Sequence, residues 1–250
     1  MLPFMQLRQE FEAAVLPADE SAADRLCTAC VDLLQVDGAS ISLLHDRDAW
    51  GTFGASGEIS RRLDEFQFTF GEGPCLDAVA QSKPVMVPDL AHPADSRWPA
   101  FMSAVLGMGV RGIFAMPVIL SGANVGALVL FRRTPGTLTE AQALGSLLAA
   151  DLAGGPVRSL LRRSAFWQAD CDEAAPDELI LLGRVEVAQA TGMIMGQLDV
   201  GRSEALARLR GYAFAHDMTA SEVAWNIVER RLRLDDDRPD YNAEGSSNEC

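Results

Sequence analysis

An α+β chain is predicted, with an antiparallel sheet flanked by helices and then an all-α three-helix module. Three observations predict it. Across residues 20–153, runs with helical spacing interleave with short apolar or alternating runs of strand length. Ser121-Gly122-Ala123-Asn124 joins two apolar runs as a hairpin signal. From Asp177 to Leu234 the pattern is helical throughout, with breaks near Asp199-Val200-Gly201 and His216-Asp217-Met218.

The elements follow in order. Gln6–Val15 is a short amphipathic helix. Ser21–Val36 is a second, because Ala22, Leu26, Ala29, Cys30 and Leu33 recur at helical spacing, and Asp37-Gly38 ends it. Ala39–Leu44 alternates small or polar residues with apolar ones and reads as a strand. Gly51–Ala55 is a second strand, Ile59–Phe66 a helix and Gln67–Phe70 extended. Val85–Val87 is a short buried strand closed by Pro88-Asp89, and Trp98–Leu106 is a helix. Gly112–Leu120 and Val125–Arg132 form the hairpin. Thr139 caps a helix through Leu152, with Glu140 in its first turn. Gly154-Gly155-Pro156 is expected to break that helix, since proline lacks an N–H and glycine is a poor helix former. Val157–Gln168 resumes as helix, and Cys171–Pro176 is a polar connector. The division is a 1–19 helical segment, a 20–153 α+β domain, a 154–176 helical connector, a 177–234 helical domain and a 235–250 acidic tail. That tail has little to bury and is expected to be disordered.

Composition bounds the function. The chain has 250 residues, 48% hydrophobic and 22% charged, enough for one large domain or two small ones. Its net charge of −14 argues against non-specific attraction to polyanions or anionic membranes, while leaving room for a local basic face. Five cysteines and no signal peptide suggest a reducing, cytoplasmic setting. Cys27 and Cys30 form a C-x-x-C pair inside a helix. No second Cys/His pair completes a metal site, so they read as small buried hydrophobes, and neither a metal nor a cofactor is expected. No apolar run approaches the length of a membrane span. Asp64-Glu65 reads as adjacent surface charges rather than a positioned acid and base. No nucleophile set follows from spacing, so the chain is not expected to be an enzyme.

The helical module carries start signals. Pro176 with Asp177-Glu178 suits a first turn, and Thr219-Ala220-Ser221-Glu222 has capping-box spacing. Ala205, Leu206, Leu209 and Ala213 share one face of the second helix; Arg208 and Tyr212 share another. Leu179–Met195 is apolar around much of its circumference, which calls for more than one packing partner and suggests a homodimer. Three ordered blocks, Val187–Met195, Ser203–Ala213 and Glu222-Val223-Ala224, resemble an ANTAR domain over residues 177–234. The resemblance implies binding to paired RNA hairpins in nascent transcripts, as a dimer, with prevention of transcription termination. Its candidate RNA-binding residues are Arg184, Thr191, Arg208, Arg210 and Tyr212, the tyrosine suited to stacking on a splayed base. Thr191 stands where many ANTAR domains carry lysine or arginine. The Ala-Thr-Gly form occurs in the actinobacterial branch of the family.

In the first domain, Phe70-Gly71-Glu72-Gly73-Pro74-Cys75-Leu76-Asp77 is the sharpest local pattern. Its glycines permit positive φ, Pro74 fits a first helical position, and its N–H groups suit either an anion cradle or a tight loop opening a helix. It lacks the Gly-Lys-Ser/Thr of a Walker phosphate loop, so the tight loop is the better reading. Together with Val85–Leu90, Trp98–Phe101 and the hairpin Ile113–Phe131, it resembles a GAF domain over residues 20–153, particularly GAF domains fused to ANTAR domains in actinobacteria. That implies a small ligand held over one sheet face. The ligand is unknown: the Asn-Lys-Phe-Asp-Glu signature of cyclic-nucleotide GAF domains is absent, and Cys75 is followed by Leu76 rather than the histidine common in bilin binders. His45 and His92 read as surface residues. Phe53, Phe68, Trp98, Phe101 and Phe114 are candidate pocket residues, and equally ordinary core. The expected function is a signal-responsive RNA-binding antitermination regulator. The alternative is a sensor whose helical end serves dimerisation without RNA.

Overall fold

The computed structural model describes residues 3–19, 21–45, 48–92, 97–168 and 184–234. The expected helix start at Pro176–Glu178, the connector 171–176 and the tail 235–250 lie outside them. The chain divides into two compact units, Met1–Val185 and Glu186–Cys250.

In the first unit the order is α1 (Phe4–Ala14), α2 (Ala22–Leu34), β1 (Gly38–His45), β2 (Asp48–Ala55), α3 (Glu58–Phe70), α4 (Pro74–Gln81), β3 (Val85–Val87), α5 (Pro99–Gly107), β4 (Gly112–Leu120), β5 (Ala123–Arg132) and α6 (Glu140–Gln168). The sheet order is β2-β1-β5-β4-β3, and all pairs are antiparallel. Period-two alternation divides it into two buried faces. Ile41, Phe114, Met116, Leu128 and Leu130 face α1, α2 and α6. Ile113, Ala115, Ala127, Val129 and Phe131 face a second core with residues of α3, α4 and α5. The sheet is therefore covered on both sides, and the serines of β1 are buried rather than solvated.

Two sequence expectations change. Gln67–Phe70 is not extended; it is the last turn of α3, which ends at Gly71 with φ 66°. The stripe Leu63, Asp64, Gln67, Phe68 is buried at i, i+1, i+4, i+5, so tertiary burial overrides a locally β-like Phe-Gln-Phe-Thr-Phe run. Nor does Gly154-Gly155-Pro156 break α6, which runs for 29 residues with Pro156 inside. Interior proline costs about 3 kcal/mol and each glycine about 1. Burial of Ala149, Ala150, Ala153, Val157 and Leu160 along one stripe outweighs that.

In the second unit, α7 (Val185–Leu198) reaches the unit from its second residue onward and is followed by α8 (Arg202–Ala215) and α9 (Ala220–Val228). Its core is small-residue rich: Val187, Ala190, Ile194, Ala205, Leu209, Ala213, Ala220, Val223, Ala224 and Ile227 are buried. The breaks are turns with Asp199 and Asp217 at positive φ. Thr219 and Glu222 form the full capping box, the Thr219 hydroxyl accepting from Glu222 N at 3.2 Å and the Glu222 carboxylate from Thr219 N at 2.7 Å.

Candidate functional site

In the first unit, a buried polar cluster lies between β1, β2, α3 and α4. Alternation in β1 turns Ile41 toward α6 and Ser42 toward α3. There the Ser42 hydroxyl donates to Asp64, and Thr52 Oγ1 of β2 donates to the other carboxylate oxygen at 2.5 Å. Asp64 is 1% exposed. The expectation of paired surface charges at Asp64-Glu65 is thus corrected: α3 turns Asp64 inward, and hydroxyl donors take the place of its water.

Arg184, also in this unit, lies against the same helix. Its Nε donates to Glu65 Oε2 at 3.0 Å, and its Nη2 stands 2.8 Å from that oxygen and 3.7 Å from Asp64 Oδ2. The guanidinium sits 4.1 Å from the centre of the Phe68 ring. Its side chain is 8% exposed. Among the described residues, Arg184 Nη1 and Gln67 Nε2 are buried without hydrogen-bond partners.

The glycine loop is committed internally. Gln67 Oε1 accepts from Cys75 N at 2.7 Å, and Glu72 Oε1 accepts from Ala100 N and Phe101 N at 2.8 and 2.9 Å, capping α5. Gly73 has φ 142°, and a Cβ there would stand 2.6 Å from the Gln67 side chain, so both its conformation and its space require glycine. Pro74 occupies the start of α4. This is the helix-opening loop. Burial, and then the nearby Asp64, push the Cys75 thiol up, against a lowering hydrogen bond from Ser42. Cys27 and Cys30 are buried free thiols, both pushed up chiefly by burial.

The five aromatic candidates do not line one pocket. Phe114 and Phe53 pack on the α1–α2–α6 face, Trp98 and Phe101 on the opposite face, and Phe68 lies under Arg184. Residues from both sides of one sheet cannot converge, and linear sequence does not show which side a phenylalanine takes. His92 is exposed. Among the described residues, no cluster of metal-ligating side chains occurs, and no helix is long and apolar enough to cross a membrane.

In the second unit, α8 places Arg208 and Tyr212 at i and i+4 on one stripe, and His216 is the residue that caps the helix C-terminus. Tyr212 and His216 stack with centroids 3.9 Å apart and planes 15° apart, and His216 Nδ1 lies 2.9 Å from Tyr212 O. Arg208 pairs with Glu204 at 2.8 Å on the surface. Arg210 is two residues from each, about 200° around the helix, so it lies on a different face. Thr191 is buried, and its hydroxyl donates to Val187 O at 2.6 Å, which satisfies the helix rather than a phosphate. The sequence candidates thus separate into the half-buried Arg208 and Tyr212 on one stripe, the half-buried Arg210 on another face, and the inward-facing Arg184 and Thr191. Sequence reading missed His216, Asp64, Ser42, Thr52 and Gln67. Spacing of four from Tyr212 was the available sign of His216; the polar positions on the apolar stripe of α3 were the sign of the cluster.

A GAF-domain family model matches residues 19–154, more than half of the chain. The chain belongs to the GAF family. An ANTAR-domain model matches residues 180–228, so a GAF domain is followed by an ANTAR domain. Among solved structures, the GAF domain from a phosphoenolpyruvate-protein phosphotransferase (ptsP) of Coxiella burnetii is similar at 18% identity, TM-score 0.51, over 64% of this chain and 96% of that one. The GAF domain of the Acinetobacter phosphoenolpyruvate-protein phosphotransferase is similar at 16% identity, TM-score 0.46, over 64% of this chain and 97% of that one. The free methionine-R-sulfoxide reductase of Neisseria meningitidis, in complex with its substrate, is similar at 17% identity, TM-score 0.47, over 63% and 89%. These likenesses concern the fold of the GAF domain. A search of curated proteins found no match.

Proposed function

We propose that the protein is a signal-responsive regulator of transcription antitermination: the GAF domain senses a small ligand or partner, and the ANTAR domain binds RNA hairpins of nascent transcripts as a dimer. The carrying observation is the union of a GAF and an ANTAR domain in one chain. The Arg208–Tyr212 stripe, with His216 stacked at its end, supports the RNA contact, since a cation beside stacked rings suits a phosphate next to an unstacked base. In this reading the protein acts in the cytoplasm, without chemistry of its own. Exposed Phe4 and Met5 of α1, Leu144 and Leu147 of α6, and Phe214 and Trp225 in the ANTAR domain support self-association.

Gel-shift titration with a two-hairpin leader RNA tests the reading. Binding that weakens steeply with added salt is expected; no binding at low salt would sink it. The inward positions of Arg184 and Thr191 favour a second reading, a sensor whose helices serve dimerisation alone. Arg208→Ala separates the two. It weakens RNA binding under the first reading and leaves sedimentation unchanged under both.

A further inference from the structure

We propose that Asp64, Glu65 and Phe68 of the GAF domain form a guanidinium seat, filled here by the chain's own Arg184, and that a small guanidinium-bearing ligand takes Arg184's place. This rests on the GAF domain being a sensor and names the chemistry it senses.

The seat's geometry suits a planar cation. Glu65 Oε2 receives two nitrogens of the Arg184 guanidinium, at 3.0 and 2.8 Å, while the guanidinium lies 4.1 Å from the Phe68 ring centre. A guanidinium is flat, always charged and weakly hydrated, so it can stack and fork at once; an ammonium cannot. Asp64, 1% exposed, lies 3.7 Å from Nη2 and takes two hydroxyl donors. Its carboxylate is thus held with or without Arg184, and Glu65 forms an ion pair with Arg184.

Arg184 fills this seat imperfectly. Its Nη1 is buried without a partner among the described residues, as is Gln67 Nε2 one helical turn from Asp64. A buried unpaired donor weakens the occupant that carries it. A free ligand can orient to avoid that cost, but it competes with a tethered group of high effective concentration. Exchange therefore needs a guanidinium ligand that either is concentrated enough to exceed that effective concentration or carries further contacts of its own.

Exchange has a built-in consequence. Arg184 directly precedes α7, so its seat holds the chain at the point where that helix begins. A ligand that binds only the vacated seat shifts the population toward a released Arg184. Released, this arginine regains the solvent access that its other proposed role, phosphate contact, requires.

Methylguanidinium is the probe, applied to the full chain without RNA at concentrations far below denaturing. Calorimetry with R184A should show binding about tenfold tighter than wild type, because the tethered competitor is gone. Adding E65Q to R184A should reverse that gain. Methylammonium should bind R184A more weakly than methylguanidinium. Hydrogen exchange on wild type needs no variant: saturating methylguanidinium should speed exchange at the amides of Val185–Val187, and methylammonium should not. Equal binding by R184A and R184A/E65Q overturns the seat, as does unchanged exchange in wild type. Equal binding of the two cations overturns the ligand class. Failure of RNA binding touches none of these readouts.

Discussion

The GAF and ANTAR domains handle polar groups in opposite ways. In the GAF domain, Asp64, Gln67 and Ser42 are buried in one cluster, Asp64 held by hydroxyls of β1 and β2 and Gln67 Oε1 by the first turn of α4. In the ANTAR domain, Arg208, Glu204 and His216 stand at the surface around a core of alanine, valine and isoleucine. Buried groups interact strongly because the surroundings are poorly polarisable, and each requires a partner. Surface groups interact weakly, are screened by salt and remain available to an outside partner. Under the proposed function, the first arrangement serves discrimination of a small ligand and the second a reversible hold on a polyanion.

Substitutions should expose that difference. The largest effect is expected for Phe114→Ala, which empties a fully buried position on β4 and should cost about 3–5 kcal/mol. Urea unfolding followed by hydrogen exchange in β4 and β5 reads it. Asp64→Ala leaves the Ser42 and Thr52 hydroxyls without their acceptor and should cost about 3 kcal/mol. A cost near zero would show that the cluster is not under polar constraint.

Alkaline pH should act on the GAF domain alone among the described thiols. Cys27, Cys30 and Cys75 have folded values raised above the ordinary 9.0, first by burial. Between the unfolded and folded values only the unfolded chain ionises, so it binds fewer protons and stability falls as pH rises. The loss should begin near pH 9 and reach roughly 1 kcal/mol per thiol per pH unit. Urea midpoints between neutral and alkaline pH would show it, and the same three thiols should resist alkylation in the folded protein.

In the ANTAR domain the effects are smaller. Thr219→Ala removes one half of the capping box and should cost about 1 kcal/mol, read as faster exchange in the first turn of α9. Arg208→Ala should change stability by less than about 0.5 kcal/mol, because its pair with Glu204 is exposed. Its effect belongs in the RNA titration, where the salt slope should drop by about 1. A large stability loss there would break the contrast between the domains.

Much was legible before the structure. The hairpin, β1, the cap at Thr219 and the two ANTAR turns follow from local chemistry: turn residues, period-two alternation and side chains that reach backbone three residues away. Gln67–Phe70 was read as extended because three aromatics in five residues suit a strand locally, and only packing under the sheet makes that turn helical. The Gly154–Pro156 segment reads as a break for the same reason: its cost is local, while the compensating burial of Ala153, Val157 and Leu160 comes from residues far along the chain.

The order of the two domains and the sheet with its covering helices were determined by the sequence alone, because periodicity, caps and ordered motif blocks act over a few residues. The tertiary structure decided which polar residues are hidden. Ser42, Thr52, Asp64 and Arg184 lie on four separate segments, and neither their meeting nor the inward turn of Thr191 is written in any one of them. The physical reason is desolvation: whether a charged side chain is a surface group or a buried site depends on what covers it, and the cover comes from elsewhere in the chain.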